Sequence, residues 1–126
     1  MPKNPHKKYQ KAGVKWYVSA HSADRYVDGV TKEISPRQAY ILCRKPFRLN
    51  EIVDVIMESP DRYLEFTAEV VWSNIYGYDD HITPRGMGVR FLEISKEDRK
   101  YISDLIEEHL VASEYVKAMT KDVGTN

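Results

Sequence analysis

An all-β barrel with one C-terminal α-helix is the fold class the sequence predicts, on three observations. Residues 14–91 divide into short apolar segments, several alternating with the period of two that marks half-buried strands. Gly, Pro, Asp and Ser punctuate these segments where turns belong. After residue 95 the apolar spacing changes to the three-and-four repeat of a helix. Closure into a barrel is expected because open sheet edges invite aggregation.

Residues 1–13 hold Pro2, Pro5 and Gly13 without periodicity and read as a flexible basic arm. Val14, Trp16, Val18 and Ala20 then share one face, with Lys15, Tyr17 and Ser19 on the other. His21 to Arg25 is polar and turn-like. Tyr26 to Ile34 is a second strand, in which Asp28-Gly29 marks a bulge or a hairpin turn. Ser35-Pro36-Arg37-Gln38 breaks the pattern. Ala39 to Cys43 is short and apolar, and Pro46 ends it because proline cannot donate to a ladder. Ile52 to Met57 is the next strand, followed by a Ser59-Pro60-Asp61 turn. The clearest alternation places Leu64, Phe66, Ala68, Val70 and Trp72 on one face against Glu65, Thr67 and Glu69. Residues 73–85 form a polar, tyrosine-bearing loop, and Gly86 to Phe91 is the last strand. Ser95 reads as a helix N-cap with Asp98 three residues on. Ile102, Leu105, Ile106, His109 and Leu110 form the stripe that faces the barrel, and Tyr115, Val116 and Met119 either pack on it too, the favoured reading, or form a dimer seam.

The 126 residues suit one domain, with 42% hydrophobic and 30% charged side chains. A lone cysteine, Cys43, excludes an internal disulfide and points to a reducing, cytoplasmic setting. No apolar run approaches the roughly 18 residues a membrane span needs, and the first residues lack the apolar core of a secretory leader. Nineteen basic and nineteen acidic side chains cancel, which argues against duplex DNA as a partner. The charge is uneven, however. Residues 1–15 carry Lys3, Lys7, Lys8, Lys11 and Lys15 and no acid, so the arm attracts anions or serves as a solvated tail.

Catalytic and metal signatures are missing. Ser19, His21 and Asp24 are sequence neighbours, whereas a triad converges in space. The histidines at 6, 21, 81 and 109 have no metal-ligand spacing, and Cys43 has no cysteine partner. Asp79-Asp80-His81 reads as a solvated loop, and no phosphate-loop motif occurs. The chain therefore reads as a non-enzyme.

Three segments arrive in an order that resembles the PilZ domain family. Glu33-Ile34-Ser35-Pro36-Arg37-Gln38-Ala39 is similar to that family's (D/N)xSxxG segment. Val70-Val71-Trp72 resembles its apolar strand ending in tryptophan. Gly86-Met87-Gly88-Val89-Arg90-Phe91, running into Ile94-Ser95-Lys96-Glu97-Asp98-Arg99, is the most specific of the three. The resemblance covers roughly residues 7–110. It implies a bacterial regulatory domain on a split antiparallel barrel of about six strands, with the domain at 14–119, the arm at 1–13 and a frayed tail at 120–126.

The resemblance also implies a ligand, cyclic di-GMP, gripped by an N-terminal RxxxR arm and the serine motif. Arginine suits that task because its fork matches guanine O6 and N7 and neutralises phosphate. Carried over residue by residue, the candidate ligand-binding set is Lys7, Lys8, Lys11, Glu33, Ser35, Arg37 and Gln38. Only Ser35 matches outright. Lys7 to Lys11 is KxxxK, which keeps the charge but lacks the planar fork. Glu33 keeps an acceptor but moves its carboxylate by more than about 1 Å, and Gln38 stands where the family has glycine. Arg44-Lys45-Pro46-Phe47-Arg48 fits RxxxR literally, but after the serine motif. Its arginines read as surface loop charges, or as part of a displaced anion site with Arg37. Two functions follow: a cyclic di-GMP receptor passing its signal to a protein of a motility, polysaccharide or secretion system, or an adaptor without a nucleotide. For the adaptor, the helix and the loop bearing Tyr76, Tyr78 and Ile82 offer a contact surface.

Overall fold

The computed structural model describes residues 11–75 and 84–124, the side chains of residues 120–124 excepted. Six strands, β1 (Tyr17–Ser22), β2 (Arg25–Ile34), β3 (Gln38–Leu42), β4 (Ile52–Glu58), β5 (Tyr63–Ser73) and β6 (Gly86–Glu93), precede helix α1 (Lys96–Gly124). They close into a barrel in the order β1-β2-β3-β6-β5-β4, with every neighbour antiparallel. The predicted barrel with an appended helix is thus the fold observed, and closure leaves no sheet edge unpaired.

Alternation fixes which side chains fill the barrel. Val18, Ala20, Val53, Val55, Met57, Leu64, Phe66, Ala68, Val70, Val89 and Phe91 are buried, as their period-two pattern requires. Phe66 and Phe91 meet inside with ring centroids 4.4 Å apart. The strand predicted from Val14 starts as regular sheet only at Tyr17. Residues 14–16 are held instead by Thr31, which is fully buried. Its hydroxyl accepts from the Trp16 N–H at 2.9 Å and donates to the Val14 carbonyl. The β2–β3 register shifts between Thr31 and Glu33.

Asp28-Gly29 is neither hairpin turn nor bulge. The β1–β2 hairpin turns at Ala23, which takes a positive φ of 54°, with Ser22 facing Arg25. Gly29 lies in mid-strand, where a Cβ would come within 2.4 Å of the Leu42 carbonyl oxygen. It is glycine because two backbones approach there.

Two further expectations are corrected. Trp72 is 44% exposed, not in the core. The β5–β6 register slips between Val70 and Trp72, and a one-residue slip turns every later side chain to the other face. On its side away from β6 the Val70 backbone pairs with the loop before β4, accepting from the Asn50 N–H at 2.8 Å and donating to the Glu51 carbonyl at 2.9 Å. On the helix, Ile102 and Ile106 are buried and Leu105 and Leu110 are packed against the core, but His109 is exposed. Tyr115 and Met119 are 66% and 53% exposed, so the outer half of α1 does not pack on its own barrel. The helix continues to Gly124, beyond the boundary at 119.

The start of α1 is as predicted, with the Asp98 N–H donating to Ser95 Oγ at 3.0 Å. Tyr101 latches the helix to the β4–β5 turn. Its hydroxyl accepts from Ser59 Oγ at 3.0 Å, and the Arg62 guanidinium stacks 4.5 Å from its ring. Register then gives the barrel two distinct ends. One holds the β2–β3 turn, the β4–β5 turn and the start of α1; the other holds the β1–β2 hairpin and the loops after β3 and β5.

Cys43 is 8% exposed beside the second end. Burial pushes its thiol up from an ordinary 9.0 to about 11, against an opposing pull from Arg25. Two pH units remove about 99% of the thiolate present near neutral pH. Cys43 is therefore expected to react with a thiol reagent roughly a hundredfold more slowly than a free thiol in the folded protein, and at the ordinary rate after denaturation. Equal rates in both states would contradict its buried setting.

Candidate functional site

The β2–β3 turn builds the site. The Ser35 N–H donates to the Gln38 carbonyl at 2.8 Å. Ser35 Oγ accepts from the Gln38 N–H at 3.0 Å and the Arg37 N–H at 3.3 Å, and donates to the Gln38 carbonyl at 3.3 Å. The hydroxyl is thus engaged in shaping the turn. The Arg37 carbonyl accepts from the Phe91 N–H at 2.9 Å, which stitches the turn to β6.

Residues 11–13, assigned by sequence to the arm, are tied to the end of β2. Ala12 is 2% exposed and exchanges both backbone hydrogen bonds with Ile34, at 2.8 and 2.9 Å. This docking brings Lys11 to Glu33, Nζ to Oε1 at 3.4 Å. Both side chains are half exposed, so the pair contributes no more than about 1 kcal/mol and yields readily to another partner. Lys7 and Lys8 lie outside the described residues, as do Tyr76, Tyr78, Ile82 and Asp79-Asp80-His81.

Two cavities flank this turn, sharing Lys11, Ser35 and Gln38 as the ridge between them. The smaller, about 170 Å³, is lined by Glu33, Tyr40, Val71, Trp72 and Gly88 as well. Gly88 pairs with Tyr40 on one side and Trp72 on the other. The two rings meet beside it, centroids 5.3 Å apart at 47°. Burial raises the Tyr40 hydroxyl pKa, with a smaller push from Cys43, so Tyr40 stays a neutral donor, directed at the Pro84 carbonyl at 3.1 Å.

The larger cavity, about 530 Å³, adds Arg37, Arg90, Phe91 and Arg99. Its volume falls within the roughly 300–1,000 Å³ of small-molecule sites. Arg90 is held at 2.7 Å by Glu69. Arg99 occupies the first turn of α1, where the helix dipole disfavours a cation by about 0.3–1 kcal/mol. An anion seated among these groups reverses that penalty. The site thus offers an aromatic floor with a carboxylate acceptor, beside a basin of guanidinium and ammonium groups. Such an arrangement suits a ligand that is planar at one end and anionic at the other.

Of the residues picked from the sequence, Lys11, Glu33, Ser35, Arg37 and Gln38 are brought together here. Arg44 and Arg48 are not; they lie at the opposite end of the barrel, so no displaced site with Arg37 forms. Sequence reasoning missed Tyr40, Trp72, Arg90 and Arg99. Arg90 and Arg99 sit inside the GxGVRF and Ser-x-Glu-Asp-Arg segments, where they served only as a fold signature. Among the described residues no group of three His, Cys, Asp or Glu side chains is placed to hold a metal, and no helix is long and apolar enough to cross a membrane.

The family model for the PilZ domain matches residues 6–108. A search of curated proteins gives no match. Among solved structures, the chain is similar to that of the Bacillus subtilis inhibitor of motility, MotI/DgrA, with a TM-score of 0.70 at 15% identity. The match covers 81% of this chain and 50% of the other, so this chain spans about half the length of that protein. At such identity the likeness speaks for the fold alone.

Proposed function

The chain belongs to the PilZ domain family, and from that premise we propose that it is a receptor for cyclic di-GMP that passes ligand occupancy to a protein partner. One observation carries this reading: the two-lobed cavity astride the Ser35 turn, aromatic and acidic on one side and cationic on the other. A guanine stacks on the Tyr40–Trp72 floor and donates to the Glu33 carboxylate. The phosphates lie in the basin of Lys11, Arg37, Arg90 and Arg99. Lysine supplies charge without a bidentate fork, so more of the affinity comes from phosphate, which salt screens.

Isothermal titration with cyclic di-GMP at low and at physiological salt tests this. Binding in the micromolar range, about −8 kcal/mol, that weakens as salt is raised is the expected result. No heat at either salt overturns the receptor reading. A nucleotide-independent adaptor would then stand. That second reading is favoured by the exposed Val111, Tyr115 and Met119 on the outer half of α1, a surface of the kind proteins bind. Under either reading the partner is a protein of a motility, polysaccharide or secretion system.

A further inference from the structure

The ligand lobes and helix α1 leave the outer face of β1, β4 and β5 open. Register builds that face row by row. Tyr17 is opposite Glu58, which is opposite Tyr63. In the next row Ser19 is opposite Ile56, which is opposite Glu65, and β2 extends the row with Asp28. In the third, His21 is opposite Asp54, which is opposite Thr67. Alternation turns all of these side chains outward. Tyr17, Tyr63 and Ile56 are 70%, 67% and 46% exposed, and Asp28, Asp54, Glu58 and Glu65 are exposed as well.

The charge of this face is one-sided. β1, β4 and β5 hold no lysine or arginine at any position, whereas β4 and β5 hold Asp54, Glu58, Glu65 and Glu69. Glu69 is taken by Arg90 at 2.7 Å. Among the described residues, no lysine or arginine comes within 4 Å of the carboxylates of Asp28, Asp54, Glu58 or Glu65. Arg25 and Arg62, at the two ends of the face, are turned to the Lys45 carbonyl and to Asp98, and Lys15 stands before β1 at its margin. Glu58 and Glu65 sit on a diagonal across β4 and β5, about 7–8 Å apart, where like charges cost the sheet stability.

We propose that this face docks a partner protein through a segment that carries arginine beside apolar side chains. The row at Glu58 argues for arginine. Its carboxylate stands between Tyr17 and Tyr63, each a directly opposite neighbour with Cβ about 4.5–5.5 Å away. A guanidinium seated there sets its fork on the carboxylate and its planar faces against the tyrosine rings. Ile56 receives an apolar neighbour of that arginine, while Asp28 and Glu65, in the same row as Ile56, meet further cations. Exposed tyrosines beside an aliphatic side chain are the anchors protein interfaces favour, and the opposite charge draws the partner in. The closed barrel offers no edge for an added strand, so the partner is held by side chains. The inference rests on the reading that the chain signals to a protein. The Tyr17 row lies at the barrel end that also holds the Ser35 turn, and Tyr17 continues from the segment that brings Lys11 to the ligand site.

The test titrates the isotope-labelled full chain, at physiological salt, with a synthetic peptide that alternates arginine and leucine. Saturating amide shifts centred on Tyr17, Ile56, Glu58 and Tyr63 are expected, and none with a counterpart that has glutamate in place of arginine. Glu58→Gln with Glu65→Gln should raise the half-saturation concentration at least about tenfold. The melting temperature should hold or rise in that variant, because both side chains are exposed and their repulsion is relieved. Tyr63→Ala, which keeps the charge and removes one ring, should weaken binding by about threefold. Shifts centred instead on Asp104, Glu107 and Glu108 of α1 overturn the proposal, as do linear shifts or binding that the Glu58 and Glu65 double variant leaves unchanged. A nucleotide titration on the same sample separates the two readings. Heat with cyclic di-GMP and no peptide binding overturns the docking face alone, and peptide binding without nucleotide heat overturns the receptor alone.

Discussion

Arg37→Glu combined with Arg99→Glu is expected to weaken cyclic di-GMP binding by at least about a hundredfold. Each arginine lost removes a hydrogen bond to a charged group, worth roughly 1.5–3 kcal/mol. Two such losses exceed the roughly 2.7 kcal/mol that corresponds to a hundredfold. The new carboxylates also repel phosphate directly. Both arginines are exposed, so the fold does not depend on them, and a carboxylate in the first turn of α1 suits the helix dipole better than Arg99 does. The thermal midpoint should therefore hold or rise while binding is lost. Arg44→Glu, at the far end of the barrel, should bind as the parent does. If the double variant and the parent give the same titration curve, the cationic lobe is not where the phosphates sit.

Thr31→Val is expected to cost about 2–3 kcal/mol of stability and to weaken ligand binding from a distance. Valine fills the same space in the fully buried position. It leaves the Trp16 N–H and the Val14 carbonyl without the hydroxyl that serves both. Each buried group stranded this way costs about 1–3 kcal/mol. For a domain of this size that corresponds to a fall of roughly 10 °C in melting temperature. The same hydroxyl holds the segment that continues into Ala12 and Lys11, so its loss loosens the lysine's support and leaves the two Ala12–Ile34 backbone bonds to hold it at the cavity rim. Thr31→Ser keeps the hydroxyl and should restore most of both properties. Calorimetric melting beside the nucleotide titration separates the two effects. An unchanged midpoint in Thr31→Val would show that the hydroxyl is not holding the arm.

Particular residues show where sequence reasoning reached and where it stopped. Lys11 and the Glu33-Ser35 segment were legible because a motif is contiguous. Lys11, Glu33, Ser35, Arg37 and Gln38 do line one site. Trp72 was not legible. Its alternation with Leu64 to Val70 is unbroken in the sequence, and only the slipped pairing with β6 turns it outward onto Tyr40. Arg90 and Arg99 come from different elements and join Arg37 only because the β2–β3 turn is hydrogen-bonded to Phe91 beside the start of α1. The outer half of α1 misled for a related reason: its apolar repeat continues past the point where the barrel stops offering a surface.

The sequence by itself determined the strands, the helix and its cap, the filling of the barrel and the family. All of these rest on periodicity or on contiguous motifs, which are local properties of a chain. Only the tertiary structure decided which charges share a cavity. Two cationic groups that look alike in the sequence, Arg37 with Arg90 and Arg99, and Arg44 with Arg48, lie at opposite ends of the barrel. The physical reason is strand register: closing six antiparallel strands fixes which turns meet at each end, and no local pattern encodes that pairing.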